Sequence, residues 1–440
     1  MAATGDYRHN LPVAAIFFIL ASGKIVKPMR KYFLILFILI MAGNAGAQKT
    51  LDYYINSGIQ SSPLLKDYQF QVQNNRIDSQ RLRANFRPLV NGSTAGTYAP
   101  VVKTWGYDGA ITNIHTYNAL VSVSQTIVGK QNLNNQYLAI QLQNLGLQNQ
   151  GKISEQDLKR SITQQYITTY GDLQQINFNQ EMLTLLKEEE AILKKLAEKG
   201  VYKQTDFLSF LVNVQQQELL IRQLRIQYQN DFATLNYITG LSDTAFTVLN
   251  APSGLDINLL PIEQTVFYQQ FHIDSLKIIV ADKQVDFAYR PRMGLYADGG
   301  YNSSFIATPL RNFGLSAGVT VTVPIYDGKQ RKMLHQKNNI AEQNRQNYRD
   351  FFSKQYQQQI AQLQQQLSQT EQLIEQTSTQ IKYADGLIKA QRQQLVTGDV
   401  RIADYIIAIG NYLNAKNIIT QNSITRLQIL NQINYWNRKQ

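Results

Sequence analysis

The sequence predicts a secreted, mainly α-helical protein of elongated build, in which two tandem copies of one unit each carry a pair of membrane-type β-strands. Three observations lead there: an apolar leader, an internal repeat with an offset of 198 residues, and two long proline-free tracts. The fold class they define is mainly α with a transmembrane β-barrel part.

The leader comes first. Lys27, Arg30 and Lys31 form a positive segment, Tyr32 to Met41 an apolar one, and Ala45-Gly46-Ala47 a small-residue cleavage site, the three parts of a secretory signal. The mature chain is expected to begin at Gln48. Met29 stands where such a signal starts, so residues 1–47 read as a 28-residue upstream extension followed by the signal peptide. Neither Val13 to Ala21 nor Tyr32 to Met41 reaches the roughly 20 apolar residues of a membrane-spanning helix, and no later segment does. A periplasmic protein or an outer-membrane barrel remains.

Composition narrows this. Net charge is +12, but Arg8, Lys24, Lys27, Arg30 and Lys31 against Asp6 precede residue 48; taking these from 43 basic and 31 acidic residues leaves 38 and 30, or +8. The remaining Lys and Arg are scattered, with no basic run interleaved with aromatics, which argues against nucleic-acid binding. Charged residues are only 17%, and Gln and Asn crowd the chain after residue 125, predicting neutral amide surfaces. There is no cysteine, hence no disulfide framework, thiol chemistry or lipid-bearing cysteine. His9, His115, His272 and His335 are isolated, and no metalloprotease motif, nucleophile elbow or P-loop occurs. Neither catalysis nor a metal or cofactor is expected.

The repeat sets the domains. The run from Val121 to Gln131 matches that from Val319 to Gln330, with Asp327 inserted; Gly200 and Asp206 match Gly398 and Asp404; Asn236-Tyr237 matches Asn434-Tyr435. Arg87-Pro88 and Arg290-Pro291 correspond at a slightly different offset. Residues 48–240 and 262–440 are then the copies, joined by 241–261 with Pro252, Gly254 and Pro261.

Proline placement gives the helices. None lies between 101 and 251 or after 324, so Gly129 to Lys199 and Gly328 to Thr397 can each run as one helix of about 100 Å. The second carries a seam through Tyr356, Ile360, Leu363, Leu367, Thr370, Ile374, Thr377 and Ile381 at alternating spacings of four and three. That is coiled-coil packing rather than a cofactor box.

Between each Arg-Pro and each Gly-Lys-Gln the period falls to two. Leu315, Ala317, Val319 and Val321 alternate with Ser316, Gly318 and Thr320, and Tyr117 to Ser124 alternate likewise. Met293 to Asp298 and Leu89 to Tyr98 supply two further strands. The pattern is that of a lipid-out, water-in strand of about ten residues. Four strands cannot close a barrel and open edges are excluded from hydrocarbon, so several chains must share one barrel.

Two copies of helix, strand, strand, long helix, tip and returning helix, with Arg-Pro before each first strand, Pro324-Ile325-Tyr326-Asp327-Gly328-Lys329 after the fourth, and Gly followed six residues on by Asp at both tips, resemble the TolC-like outer-membrane factors. The resemblance spans about Thr50 to Tyr435. It implies a homotrimeric barrel of four strands per chain, embedded in outer-membrane lipid and continuing into a periplasmic α-helical coiled-coil tube. It further implies passive export in a tripartite efflux or type I secretion system, docked on a periplasmic adaptor that serves an inner-membrane pump. Lys103 to Ile114 and Thr308 to Phe313 become extracellular loops. Gly200, Thr205 and Asp206 in one tip, and Gly398, Arg401 and Asp404 in the other, become adaptor contacts, with Asp404 at the lumen constriction. Thr205 or Asp206 is expected to cap its helix. Ile407 replaces the family's second constriction aspartate, Leu395 its tyrosine, and Arg401 is displaced by one position, so the family's gate bonds are not expected. The rival, a soluble periplasmic coiled-coil adaptor or a structural protein without a barrel, has one helical hairpin split by a β-domain, which this sequence lacks.

Overall fold

The computed structural model describes residues 50–100, 102–106, 115–243, 247–255, 257, 259–304 and 311–437. The expected leader, residues 107–114 of the first expected extracellular loop and residues 308–310 of the second lie outside the described residues. Everything described belongs to the unit that begins at Thr50.

Helices α1 (Leu51–Ser61) and α2 (Pro63–Ala84) lead into strands β1 (Leu89–Tyr98) and β2 (His115–Ile127). The helix α3 (Lys130–Glu198) and the returning α4 (Gln204–Thr239) follow. After a 3-10 turn at Ile262–Gln264 come α5 (Val266–Ala288), β3 (Arg292–Ser303), β4 (Phe313–Thr322), α6 (Gln330–Thr397) and α7 (Ile402–Trp436). At 69 and 68 residues, α3 and α6 are each about 100 Å long. No proline interrupts either of them. Among the described residues, no helix is long and apolar enough to cross a membrane.

The long helices pair with shorter ones: α3 with α4, α6 with α7, and α5 with both α3 and α6. The seam expected on α6 is the face it buries, with Tyr356, Leu363, Leu367, Thr370 and Thr377 all buried. At the far end a single core draws Leu193 from α3, Phe210 from α4, Leu395 from α6 and Tyr405 from α7, all fully buried. The two helical hairpins therefore share one apolar core at their ends, and apolar burial of this kind carries most of a helix's stability.

The amide-rich surface expected from composition is partly a packing device. Asn135 is buried on α3 and donates to the Val280 carbonyl at 3.1 Å and to Gln284 Oε1 at 3.0 Å. Asn149 repeats the arrangement with Val266 and Gln270 at 3.1 and 3.0 Å. The spacing is two heptads on both helices, so the pairs fix the register of α3 against α5. A buried amide without a partner is costly, which disfavours a slipped register.

The strands form one antiparallel sheet in the order β1-β2-β3-β4. The central pairing, β2 with β3, joins residues 166 to 186 positions apart in sequence, from Tyr117 opposite Ser303 to Ile127 opposite Met293.

Candidate functional site

Two regions carry the chemistry that the sequence points to: the sheet and the helical tips. In the sheet, residues directly opposite each other share a face. Val90, Val123, Ala297 and Ala317 therefore lie on one side in a single row, with Leu295 opposite Val319 and Met293 opposite Val321 on the same side. Asn91, Ser122, Asp298 and Ser316 form a row on the other side. One face is mainly apolar, broken by polar residues such as Thr94 and Gln125, and the other carries mainly hydroxyls and amides.

Neither face is packed. Leu315 is 92% exposed and Val321 60%, and every residue of β1 is exposed. The outer edges of β1 and β4 pair with no other strand among the described residues. An apolar sheet face without a cover, plus two open edges, is an arrangement that water does not stabilise.

At the end remote from the helices the apolar face gathers aromatic rings. His115 stacks on Tyr98 at 5.4 Å and on Tyr117 at 6.2 Å, and Tyr301 lies 6.0 Å from Phe313. His115, isolated in the sequence, opens β2 within this collar. His335 lies between α5 and α6, with Nδ1 2.7 Å from Asp282 and Nε2 3.2 Å from Asp286. Its hydrogen bond to Asp282 raises its pKa and favours the doubly bonded imidazolium.

At the tips, the chain reverses through Gly200 (φ +76) and Gly398 (φ +81). Both occupy the left-handed region where a side chain is strained and glycine ends helices. After Gly398 the Asp399 N–H returns to the Gln394 carbonyl at 2.9 Å, which closes the last turn of α6.

The expected caps are corrected. Helix α4 begins at Gln204 with Lys203 in the capping position and no side-chain cap, so Thr205 and Asp206 sit inside the first turn. Arg401 holds the same position before α7, again without a side-chain cap, and Asp404 lies in the first turn. An acid there meets the positive end of the helix dipole without replacing a cap. Asp404 is also paired within its own chain, with Arg401 Nε 2.9 Å from Oδ2 and Nη2 3.2 Å from Oδ1.

Two links between the tips escaped the sequence reading. The Tyr202 hydroxyl lies 2.9 Å from the Leu395 carbonyl and 2.8 Å from that of Val400, able to donate to either, and so ties the first tip to the second. Deeper in, Glu189 on α3 is fully buried, with Arg392 Nε on α6 2.7 Å from its Oε1. Burial raises its pKa and the Arg392 guanidinium opposes that shift. Glu189 stands in the run Glu188-Glu189-Glu190, which by itself reads as a solvated acidic face. The available signal was helical phase, since Leu186 and Leu193, three before and four after it, are buried on the same stripe.

The sequence matches no protein-family model and no curated protein. Solved structures match it over almost the whole described chain. A membrane protein from Pseudomonas aeruginosa superposes with a TM-score of 0.72 at 14% identity, covering 89% of this chain and 91% of that one. The outer membrane protein VceC from Vibrio cholerae gives 0.71 at 12%, over 88% and 96%. The open-state MtrE outer membrane channel of Neisseria gonorrhoeae gives 0.68 at 12%, over 89% of each. The fold is thus that of bacterial outer-membrane channels. In particular it is the TolC-family fold, as the duplicated motifs suggested.

Proposed function

We propose that the chain is one subunit of a homotrimeric outer-membrane channel, a passive conduit for solute export with no catalytic step. The observation that carries this reading is the two-faced sheet with open edges, attached to helices of about 100 Å. Three chains of four strands each would pair those edges into a closed barrel, the arrangement that satisfies backbone groups in hydrocarbon. The apolar run from Phe313 to Val323 spans about 33 Å along the strand. Tilted by about 40° it covers about 25 Å, the height of the lipid-facing band of such barrels. The aromatic collar at Tyr98, His115, Tyr117, Tyr301 and Phe313 would then lie at the outer interface.

In this reading residues 48–240 and 262–440 are two copies of one unit joined by 241–261, and residues 1–47 are the leader. The helices form a tube reaching across the periplasm toward an adaptor and an inner-membrane pump of an efflux or type I secretion system. Gly200, Thr205, Asp206, Gly398, Arg401 and Asp404 shape the surface offered to the adaptor. Because Arg401 neutralises Asp404, the constriction there is charge-compensated, and a bare acidic ring is not part of the proposal.

The test is extraction followed by reconstitution. The protein is expected to stay with the membrane through salt and alkaline washes, to require detergent, and to give stepwise conductance in planar bilayers. Release by the wash alone, with no conductance, would favour the soluble adaptor.

A further inference from the structure

The polar face of the sheet is nearly devoid of charge, and the two charges it holds are of opposite sign. By the strand register that face comprises residues such as Asn91, Ser122, Ser124, Ser316, Thr320 and Thr322, with Arg292 and Asp298 as its charged members among the described residues. Asp298 lies opposite Ser122 and Ser316, and the Ser316 hydroxyl donates to it at 3.4 Å. Arg292 lies at the helix-side end of β3 and donates to the Ala288 carbonyl at 2.9 Å. Neither takes part in an ion pair among the described residues. They stand six positions apart on one strand, about 20 Å, which exceeds the screening length of about 8 Å in physiological salt. They therefore act on a passing ion one after the other, without cancelling locally.

We infer that Asp298 and Arg292 set the charge selectivity of the barrel lumen, one acidic and one basic ring in series on a hydroxyl and amide wall. The outer-membrane step then sorts cargo by size and admits anions, cations and uncharged solutes alike. The inference rests on the trimeric channel reading above. A barrel of three such sheets has a radius of about 12 Å, and three charges seen from its axis through that screening length shift the local concentration of a monovalent ion by about 1.5-fold. Cations and anions move in opposite senses, so each ring alone imposes a permeability ratio of about 2, and the two in series offset each other.

The experiment is reversal potential under a salt gradient in planar bilayers, with the full-length protein. Asp298→Asn should lower the cation-to-anion permeability ratio about twofold relative to the unaltered channel, and Arg292→Gln should raise it about twofold. The comparison with the unaltered channel removes whatever the helical tube contributes. Because the chain has no cysteine, Ser316→Cys gives a second variant that assembles before it is charged: an anionic methanethiosulfonate should raise the ratio and a cationic one lower it. Conductance that persists with no shift, or with both substitutions shifting the ratio the same way, overturns the inference and leaves the channel intact. Absence of conductance from the unaltered protein overturns the channel reading, and the inference falls with it.

Discussion

Arginine placed at Val319 should cost about 2 to 4 kcal/mol of assembly, whereas arginine one residue along at Thr320 should cost little. The register puts Val319 opposite Leu295 on the apolar face, close to the middle of the run from Phe313 to Val323, and Thr320 on the polar face. In the proposed barrel a guanidinium at Val319 must leave water or distort the bilayer, while one at Thr320 would stay in the wet lumen. Val321 is also apolar-facing but lies nearer the helical end of the sheet, and since the penalty falls with distance from the midplane, Val321→Arg should lose less than Val319→Arg. The yield of membrane-assembled oligomer after mild extraction measures this. Equal yields from Val319→Arg and Thr320→Arg would mean that the faces are assigned the wrong way or that no lipid covers the sheet.

A loss of comparable size is expected at the tips. Removing Arg392 leaves Glu189 as a fully buried carboxylate without its cation, and breaking a buried pair from one side costs several kcal/mol. Arg392 is 43% exposed, so water recovers part of that, and about 2 to 4 kcal/mol is expected for Arg392→Ala near neutral pH. Without the guanidinium, burial acts unopposed and the Glu189 pKa rises further above its ordinary 4.5. The folded state then binds the proton more tightly than the unfolded one, so the deficit should be absent below about pH 4.5 and grow as pH rises through the folded pKa. Glu189→Gln combined with Arg392→Ala removes the charge and should be both milder and flat with pH. Hydrogen exchange of the tip amides reads each case. Full protection in Arg392→Ala at neutral pH, or a loss that acid does not reverse, would contradict this account of the pair.

Much of this was legible in the sequence because it depends on local chemistry. Proline-free tracts marked α3 and α6 to within a residue or two, and β1 runs from Leu89 to Tyr98 as its alternation indicated. Period-two alternation assigns the faces of β4 without any knowledge of β3. The long-range partners were not legible. Glu189 and Arg392 lie on different hairpins, and no local pattern states how α3 is rotated against α6. The surplus of Asn likewise read as water-facing surface, yet Asn135 and Asn149 are buried against α5, since an amide suits either setting and only the facing carbonyl decides. The caps failed for a related reason: Thr205 and Asp206 are good capping types, but the turn after Gly200 is short enough that α4 starts at Gln204, before them.

The central claim is that four strands per chain cannot stand alone and are completed by two further copies. Native mass spectrometry of the detergent-extracted protein, repeated in several mild detergents, tests it most directly. The account predicts a mass of three chains, retained across detergents; a monodisperse monomer in all of them would contradict it.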